Sequence, residues 1–241
     1  MAGDEDDDQE RWSEADAYDV LEDHDVNDEP SPLQPVGPGD VFADVELGHL
    51  ADPFVGHVIV VGHPCSLRRG IALQPDLPVA PIAPPGIPTS QHGIAERVLP
   101  VRKLLPPGTD QNHVVQLTRT TTVPSEALDV GRRVATLSAA GIVALQQRVV
   151  GNHTRVKVPS GVIAAHIRGP LAELELWTDW RDELEQNGRA PHDHDDDFDA
   201  FMASESSFAE LSWRAALAEH EHARGRAVAA MTDELARLLD A

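Results

Sequence analysis

Apolar residues fall in short, dense runs through the first two thirds of the chain and then spread out to a helical spacing. The densest run is Val58, Ile59, Val60 and Val61, with Gly56 before it and Gly62 after it. A short β-branched run between glycines predicts a buried strand. Upstream, Val41 to Val45 in GDVFADV alternates apolar and polar positions, as a half-buried strand does. Leu77 to Ile82 is a third apolar run, and Pro78 and Pro81, which lack an N–H for the ladder, place it at a sheet edge or strand end. Ala95 to Leu105 is a further strand candidate, and Val114 to Val123 another, Thr-rich and alternating. Pro124 to Leu128 reads as a turn. Ser138 is placed to cap a helix over Ala139 to Val150, with Ile142, Leu145, Val149 and Val150 on one face and a stop at Gly151-Asn152. Arg155 to Val158 and Val162 to Ile167 read as short late strands.

From Leu171 the period changes. Leu171, Leu174, Trp177 and Leu184 suit a helix to about Gln186, with the two tryptophans Trp177 and Trp180 anchoring it to the sheet unit. Pro191 to Asp199, PHDHDDDFD, reads as an acidic linker, and Ser207 to Leu239 as one or two helices with Gly225 as the break. The pattern predicts an α+β fold: a small β-barrel-like core of five to seven strands with one packed helix, and a C-terminal helical extension.

Charge divides the chain in the same places. The overall formal charge is −22, distributed as −13 over residues 1–31, +3 over 32–170 and −12 over 171–241. The acidic, aromatic-poor start cannot bury enough apolar surface to offset its ordering entropy and is expected to be a disordered tail. Three regions follow: an acidic tail over 1–34, a core domain over 35–170 and an acidic helical region over 171–241. The single cysteine excludes an intramolecular disulfide and a cysteine-based zinc cage. With no secretory signal and no apolar run long enough to cross a bilayer, a cytoplasmic protein away from membranes is expected.

Candidate chemistry gathers behind the valine strand, where His63, Cys65, Arg68 and Arg69 share one loop. A thiol beside a histidine and cations has the makings of a nucleophile, and a histidine with two arginines can do metal-free phosphoryl chemistry. The structural reading of the same residues makes Cys65 a small core filler, His63 a cap in a proline-containing turn, and the arginines solvated or paired with the acidic flanks. Arg102, Lys103 and Arg119 are candidate nucleic-acid contacts on the mildly basic core. His192, Asp193, His194 and Asp195 read as solvated linker rather than metal ligands, so neither a metal nor a cofactor is expected.

The succession GDVF, VIVVGHPCSLRRG, LPVAPI and LTRTTTVPSEALDVGRRVATLSAAGIVALQQRVV resembles the PemK/MazF-type toxin family over about Pro38 to Val150. The resemblance implies an SH3-like barrel, a toxin–antitoxin setting, RNA as partner and metal-free endoribonuclease activity. Gly56 and His57 stand where the family usually has an Arg-Pro pair, and Ala83 stands where it usually has Thr or Ser, so the family's catalytic arginine and hydroxyl are missing. A site relocated to His63, Cys65, Arg68 and Arg69 is one expectation, with the acidic flanks masking the core from RNA. The competing expectation is a non-catalytic module whose acidic tails or C-terminal helices bind a protein partner. A dimer is the oligomeric state considered.

Overall fold

In the computed structural model the described residues are 31–48, 54–83, 98–101, 113–156, 158–208 and 210–240. The architecture is α+β, with an antiparallel sheet and a helical layer. The strands are β1 (Val41–Leu47), β2 (Phe54–Val60), β3 (Arg68–Arg69), β4 (Ala72–Leu73), β5 (Asp76–Ala83), β6 (Val98–Val101), β7 (His113–Gln116), β8 (Thr121–Pro124) and β9 (Arg133–Ala135). The main sheet runs β6-β7-β5-β2-β1-β9, with β8 pairing on β5 beside β7, and β3 and β4 form a separate hairpin.

The valine run is apolar throughout because both of its faces are covered. Ile59 and Val61 belong to a cluster with Val41, Leu99, Val115, Leu145 and Ile167. Val58 and Val60 belong to another, with Phe42, Leu67, Leu77 and Val123. In β1 the register with β2 slips between Phe42 and Val45. Asp44 sits at the slip with φ 53°, a left-handed conformation that aspartate tolerates better than most residues. Gly39 is constrained more tightly: φ is 84°, and a Cβ there would lie 2.9 Å from Leu137 Cβ.

Proline had placed Leu77 to Ile82 at an edge, yet β5 is central, with β2 on one side and β8 then β7 on the other. Pro78 and Pro81 are accommodated because β5 changes partner along its length: Pro78 faces Thr122 of β8, and Pro81 faces Val58 of β2. Val114 to Val123 is likewise two strands, β7 and β8, separated by a 3-10 turn at Leu117–Arg119. Only residues 98–101 of the candidate strand Ala95 to Leu105 are described, and they form β6.

The helices are α1 (Pro64–Leu67), α2 (Ala139–Thr154), α3 (Ser160–Gln186), α4 (Asp195–Ala203), α5 (Trp213–Glu219) and α6 (Ala223–Leu239). Ser138 caps α2, its Oγ accepting from Gly141 N at 3.1 Å. The helix runs past the expected stop at Gly151, which is buried, and ends at Arg155 with φ 60°.

The late strand expected at Val162 to Ile167 is instead the start of α3. Ile163 and Ile167 stand four apart and are buried against the sheet core, while Val162 is exposed. Packing at helical spacing outweighs the β-branched composition. The same helix then supplies Leu176, Trp177, Trp180 and Leu184 to a second core with Phe198, Phe201, Met202, Trp213 and Leu217. The boundary expected at residue 170 therefore falls at Pro170, inside a continuous 27-residue helix. The tryptophans anchor α3 to the helical layer, where Trp180 is fully buried.

The expected acidic linker is ordered structure too. Pro191–His194 is a 3-10 turn leading into α4, whose first turn carries Asp195, Asp196 and Asp197. Carboxylates there complement the helix dipole, and buried Phe198, Phe201 and Met202 hold the helix down. The C-terminal break comes at residues 220–222, and Gly225 lies within α6. Of the acidic start, residues 1–30 lie outside the described residues, while Ser31 to Gln34 are placed and Leu33 is buried. Among the described residues no helix is long and apolar enough to cross a membrane.

Candidate functional site

β2 ends at the foot of a cleft of about 280 Å³ between α1 and α3, with α5 at its far side. Its walls include Pro64, Cys65 and Arg68 from the loop, Glu173, Leu174 and Trp177 from α3, and Arg214 from α5. Cys65 and Arg68, both expected site residues, are thus brought together. His63 and Arg69 flank them in sequence but do not line the cleft.

His63 is the cap of α1, its Nδ1 accepting from Cys65 N at 3.3 Å. Pro64 at the first helical position suits that turn because its missing N–H is one the helix would leave unpaired. Burial, and then the charge of His166, push the His63 pKa below its usual value. Cys65 is exposed rather than a core filler. Partial burial and the nearby Glu173 carboxylate raise its thiol pKa, so little of it is thiolate.

Arg68 is half-buried and fixed. Its Nη1 donates to Ile71 O at 3.0 Å and its Nη2 to Val36 O at 2.6 Å. The guanidinium lies 4.8 Å from the centre of the Trp177 ring. Burial, and then the neighbouring Arg181, bring its pKa down to about 10, against the pull of Asp40, Asp195 and Glu173. Its Nε is buried with no partner. Arg69 is exposed, and Gly70 turns the hairpin with φ 62°.

Around this centre the carboxylates are committed elsewhere. Arg181 holds Asp195 through two bonds of 2.8 and 2.6 Å, while Trp177 Nε1 donates to the same carboxylate at 2.8 Å. Burial alone would raise the Asp195 pKa, but these hydrogen bonds outweigh it and the net direction is down. Arg214 bonds both Glu173 and Asp199 at 2.8 Å.

Three arginines also grip the backbone of residues 31–36. Arg68 holds Val36 O, Arg181 Nη1 holds Leu33 O at 2.9 Å, and Arg133 Nη2 holds Ser31 O and Gln34 O at 2.6 and 2.9 Å. Arg133 Nη1 meets buried Asp40 at 2.9 Å.

Of the other candidates, Arg119 ends the 3-10 turn between β7 and β8, donating to Gln116 Oε1 at 3.3 Å, away from the cleft. Arg102 and Lys103 lie outside the described residues. His194 bonds Asp197 at 2.9 Å and His192 faces Asp195 at 3.7 Å at the start of α4. Among the described residues no group of three or more His, Cys, Asp or Glu is placed to hold a metal. Glu173, Arg181 and Arg214 were missed by sequence reasoning, and Asp195 was read as solvated linker. They sit within an ordinary acidic amphipathic pattern, and only the packing of α3 on α4 and α5 brings them to the loop.

No family model and no curated protein matches the chain.

Proposed function

We propose that the chain is a non-catalytic protein-interaction module, in which a diverged PemK/MazF-like, SH3-like sheet unit is the scaffold and the acidic helical region presents the surface for a basic partner. The strand β1 that follows Gly39-Asp40 and pairs with the valine strand, and the Ser138-capped helix packed on that sheet, support the scaffold half of this reading. The loop that would carry relocated ribonuclease chemistry supports its non-catalytic half. Both terminal nitrogens of Arg68 are bound to carbonyl oxygens, His63 uses Nδ1 as a cap, and the thiol is held protonated.

The observation that carries the partner half is the disposition of charge over residues 171–241. Every arginine there is engaged internally: Arg181 with Asp195, Arg214 with Glu173 and Asp199, Arg224 with Glu175, Arg237 with Glu234, Arg189 with Leu239 O, and Arg226 over the Phe208 ring. The remaining acids, exposed Asp193, Asp196, Glu219 and Glu221 among them, leave the outer face negative. Such a face steers and selects a cationic partner.

The RNA-directed reading retains the exposed Arg69 and the +3 charge of residues 32–170. Fluorescence anisotropy of the full chain separates the two, with a labelled arginine-rich peptide and a labelled mixed-sequence RNA as probes. The interaction reading expects peptide binding that weakens with salt, weakens again in D193N/D196N/E219Q/E221Q, and leaves the RNA intact. RNA binding without peptide binding, or RNA cleavage, replaces it with the RNA-directed reading.

A further inference from the structure

We propose that a second cleft, between α3 and residues 34–38, seats a lysine side chain of the basic partner, its ammonium donating to the Asp179 carboxylate. This rests on the reading of the acidic helical region as a basic-partner surface, and it names the side chain that such a surface selects.

The cleft holds about 280 Å³. Leu171, Leu174 and Thr178 line it from α3, where spacings of three and four residues set them on one face. Pro38 lines it from the segment before β1, and Ala139 from the first turn of α2. Leu171 and Leu174 are only partly buried and Ala139 is exposed, so this apolar lining is open to a ligand.

Charge selects a cation. Asp179 lines the cleft and is exposed, so its carboxylate can be reached from water. Among the described residues that carboxylate accepts no hydrogen bond and forms no ion pair. Arg224, the cation lining the same cleft, is held by Glu175 at 2.9 Å. Partial burial pushes the Asp179 pKa up, Arg224 pulls against it, Asp182 adds to the rise, and the net direction is up. A carboxylate short of donors gains from an approaching cation. The charge of −12 over residues 171–241 draws cations to this side of the molecule and repels anions.

The lining then chooses among cations. A lysine lays its aliphatic stem along apolar surface and keeps its charged head toward water, as Leu171 and Leu174 beside Asp179 require. Its ammonium has three diverging N–H bonds, which suit acceptors on separate groups. Asp179 is one. Thr178 is another, because its hydroxyl donates to Leu174 O at 2.9 Å and keeps lone pairs to offer. The side-chain amide of Gln34 in the cleft wall is the third. A guanidinium, a planar fork, suits the paired oxygens of a carboxylate, and Glu175 is already taken by Arg224. Glu221, an exposed acid of the partner face, stands three residues before Arg224, which places the cleft at the edge of that face.

The test uses the full chain and follows the methyl resonances of Leu171 and Leu174. The probes are n-butylammonium, which reproduces the lysine side chain, n-butanol, of similar length without the charge, and n-butylguanidinium. Saturable shifts are expected with n-butylammonium, weaker binding with n-butylguanidinium and little effect from n-butanol. D179N, at an exposed side chain with no bond to lose, should weaken n-butylammonium about threefold to fivefold. A139F fills the cleft and leaves every charge in place, and it should abolish the shifts. Equal shifts from the alcohol, tighter binding of the guanidinium, or n-butylammonium binding that survives both variants overturns the proposal. Anisotropy with labelled lysine-rich and arginine-rich peptides of equal length separates its failure from that of the partner reading. The lysine peptide is expected to bind at least about threefold tighter, with D179N closing the gap. Peptides that bind alike, with no effect of D179N, overturn the lysine seat and leave the partner reading standing. If neither peptide binds, the partner reading falls and takes the lysine assignment with it, whatever n-butylammonium does.

Discussion

Arg133 and Asp40 meet with both side chains out of solvent, and Arg133 also supplies two of the bonds that hold residues 31–34. Removing one member of a buried pair strands the other, so R133M is expected to lower the unfolding free energy by about 3–5 kcal/mol. R69M, at an exposed position, should change it by less than about 0.5 kcal/mol. Urea melts of the two variants check the contrast, and equal midpoints would contradict the structural role of Arg133. His63 leads to a pH prediction. Its folded pKa lies below the ordinary 6.5, so the unfolded chain takes up its proton first as pH falls. The stability it contributes is complete above pH 6.5 and is lost as pH drops through the folded value. Protonation also fills the Nδ1 lone pair that caps α1. Hydrogen-exchange protection of the Cys65 amide should therefore be held down to pH 6.5 and fall only at lower pH, and H63N, a cap without a titrating ring, should hold it constant. At this scale the His63 cap was legible because it acts on its own neighbours beside Pro64. The role of Arg68 was not, since Val36 and Trp177 come to it only through the fold.

On α3 two glycines carry opposite expectations. A Cβ on Gly169 would lie 2.7 Å from Ala218 Cα and 2.8 Å from Ala218 N, so α5 would have to move as a body. G169A should destabilise by about 1–3 kcal/mol even though alanine is the better helix former. Gly161 has nothing within 4 Å of its would-be Cβ, and G161A should be neutral or stabilising by up to about 1 kcal/mol. Chemical denaturation reads both, and a stabilised G169A would mean that α3 and α5 do not cross this closely. Among the elements, β1, β2 and α2 were readable because alternation, a glycine-bounded run and a serine cap are local signals. The start of α3 and the whole of α4 were not. Val162 to Ile167 is β-branched, and PHDHDDDFD is too acidic to look ordered until Phe198 and Phe201 find Trp177, Trp180 and Trp213.

For the molecule as a whole, α3 contributes Ile163 and Ile167 to the sheet core and Leu176, Trp180 and Leu184 to the helical core. Separation of the chain at residue 170 would cut that helix and leave apolar surface on both pieces. The charge pattern placed a boundary near Leu171, but charge reports on the surface, while the helix Ser160–Gln186 runs on beneath it. The expectation is a single cooperative unfolding transition. Helical circular dichroism and hydrogen-exchange protection of the β2 amides should report the same midpoint. W180A, deep in the helical core, should shift both midpoints together, through a loss of about 3–5 kcal/mol. A sheet signal left in place while the helical signal melts would show two independent units instead.

The grip on residues 31–36 carries a consequence for how this protein tolerates sequence change. Arg68, Arg133 and Arg181 bind carbonyl oxygens, which every amino acid possesses, so the held segment is recognised without regard to most of its side chains. In a saturation library scored for folded protein, Gln34 should accept nearly any replacement, and buried Leu33, Pro35 and Val36 should resist polar ones. The three arginines that do the holding should accept almost none, lysine included, because a single ammonium cannot reproduce a forked contact to two oxygens.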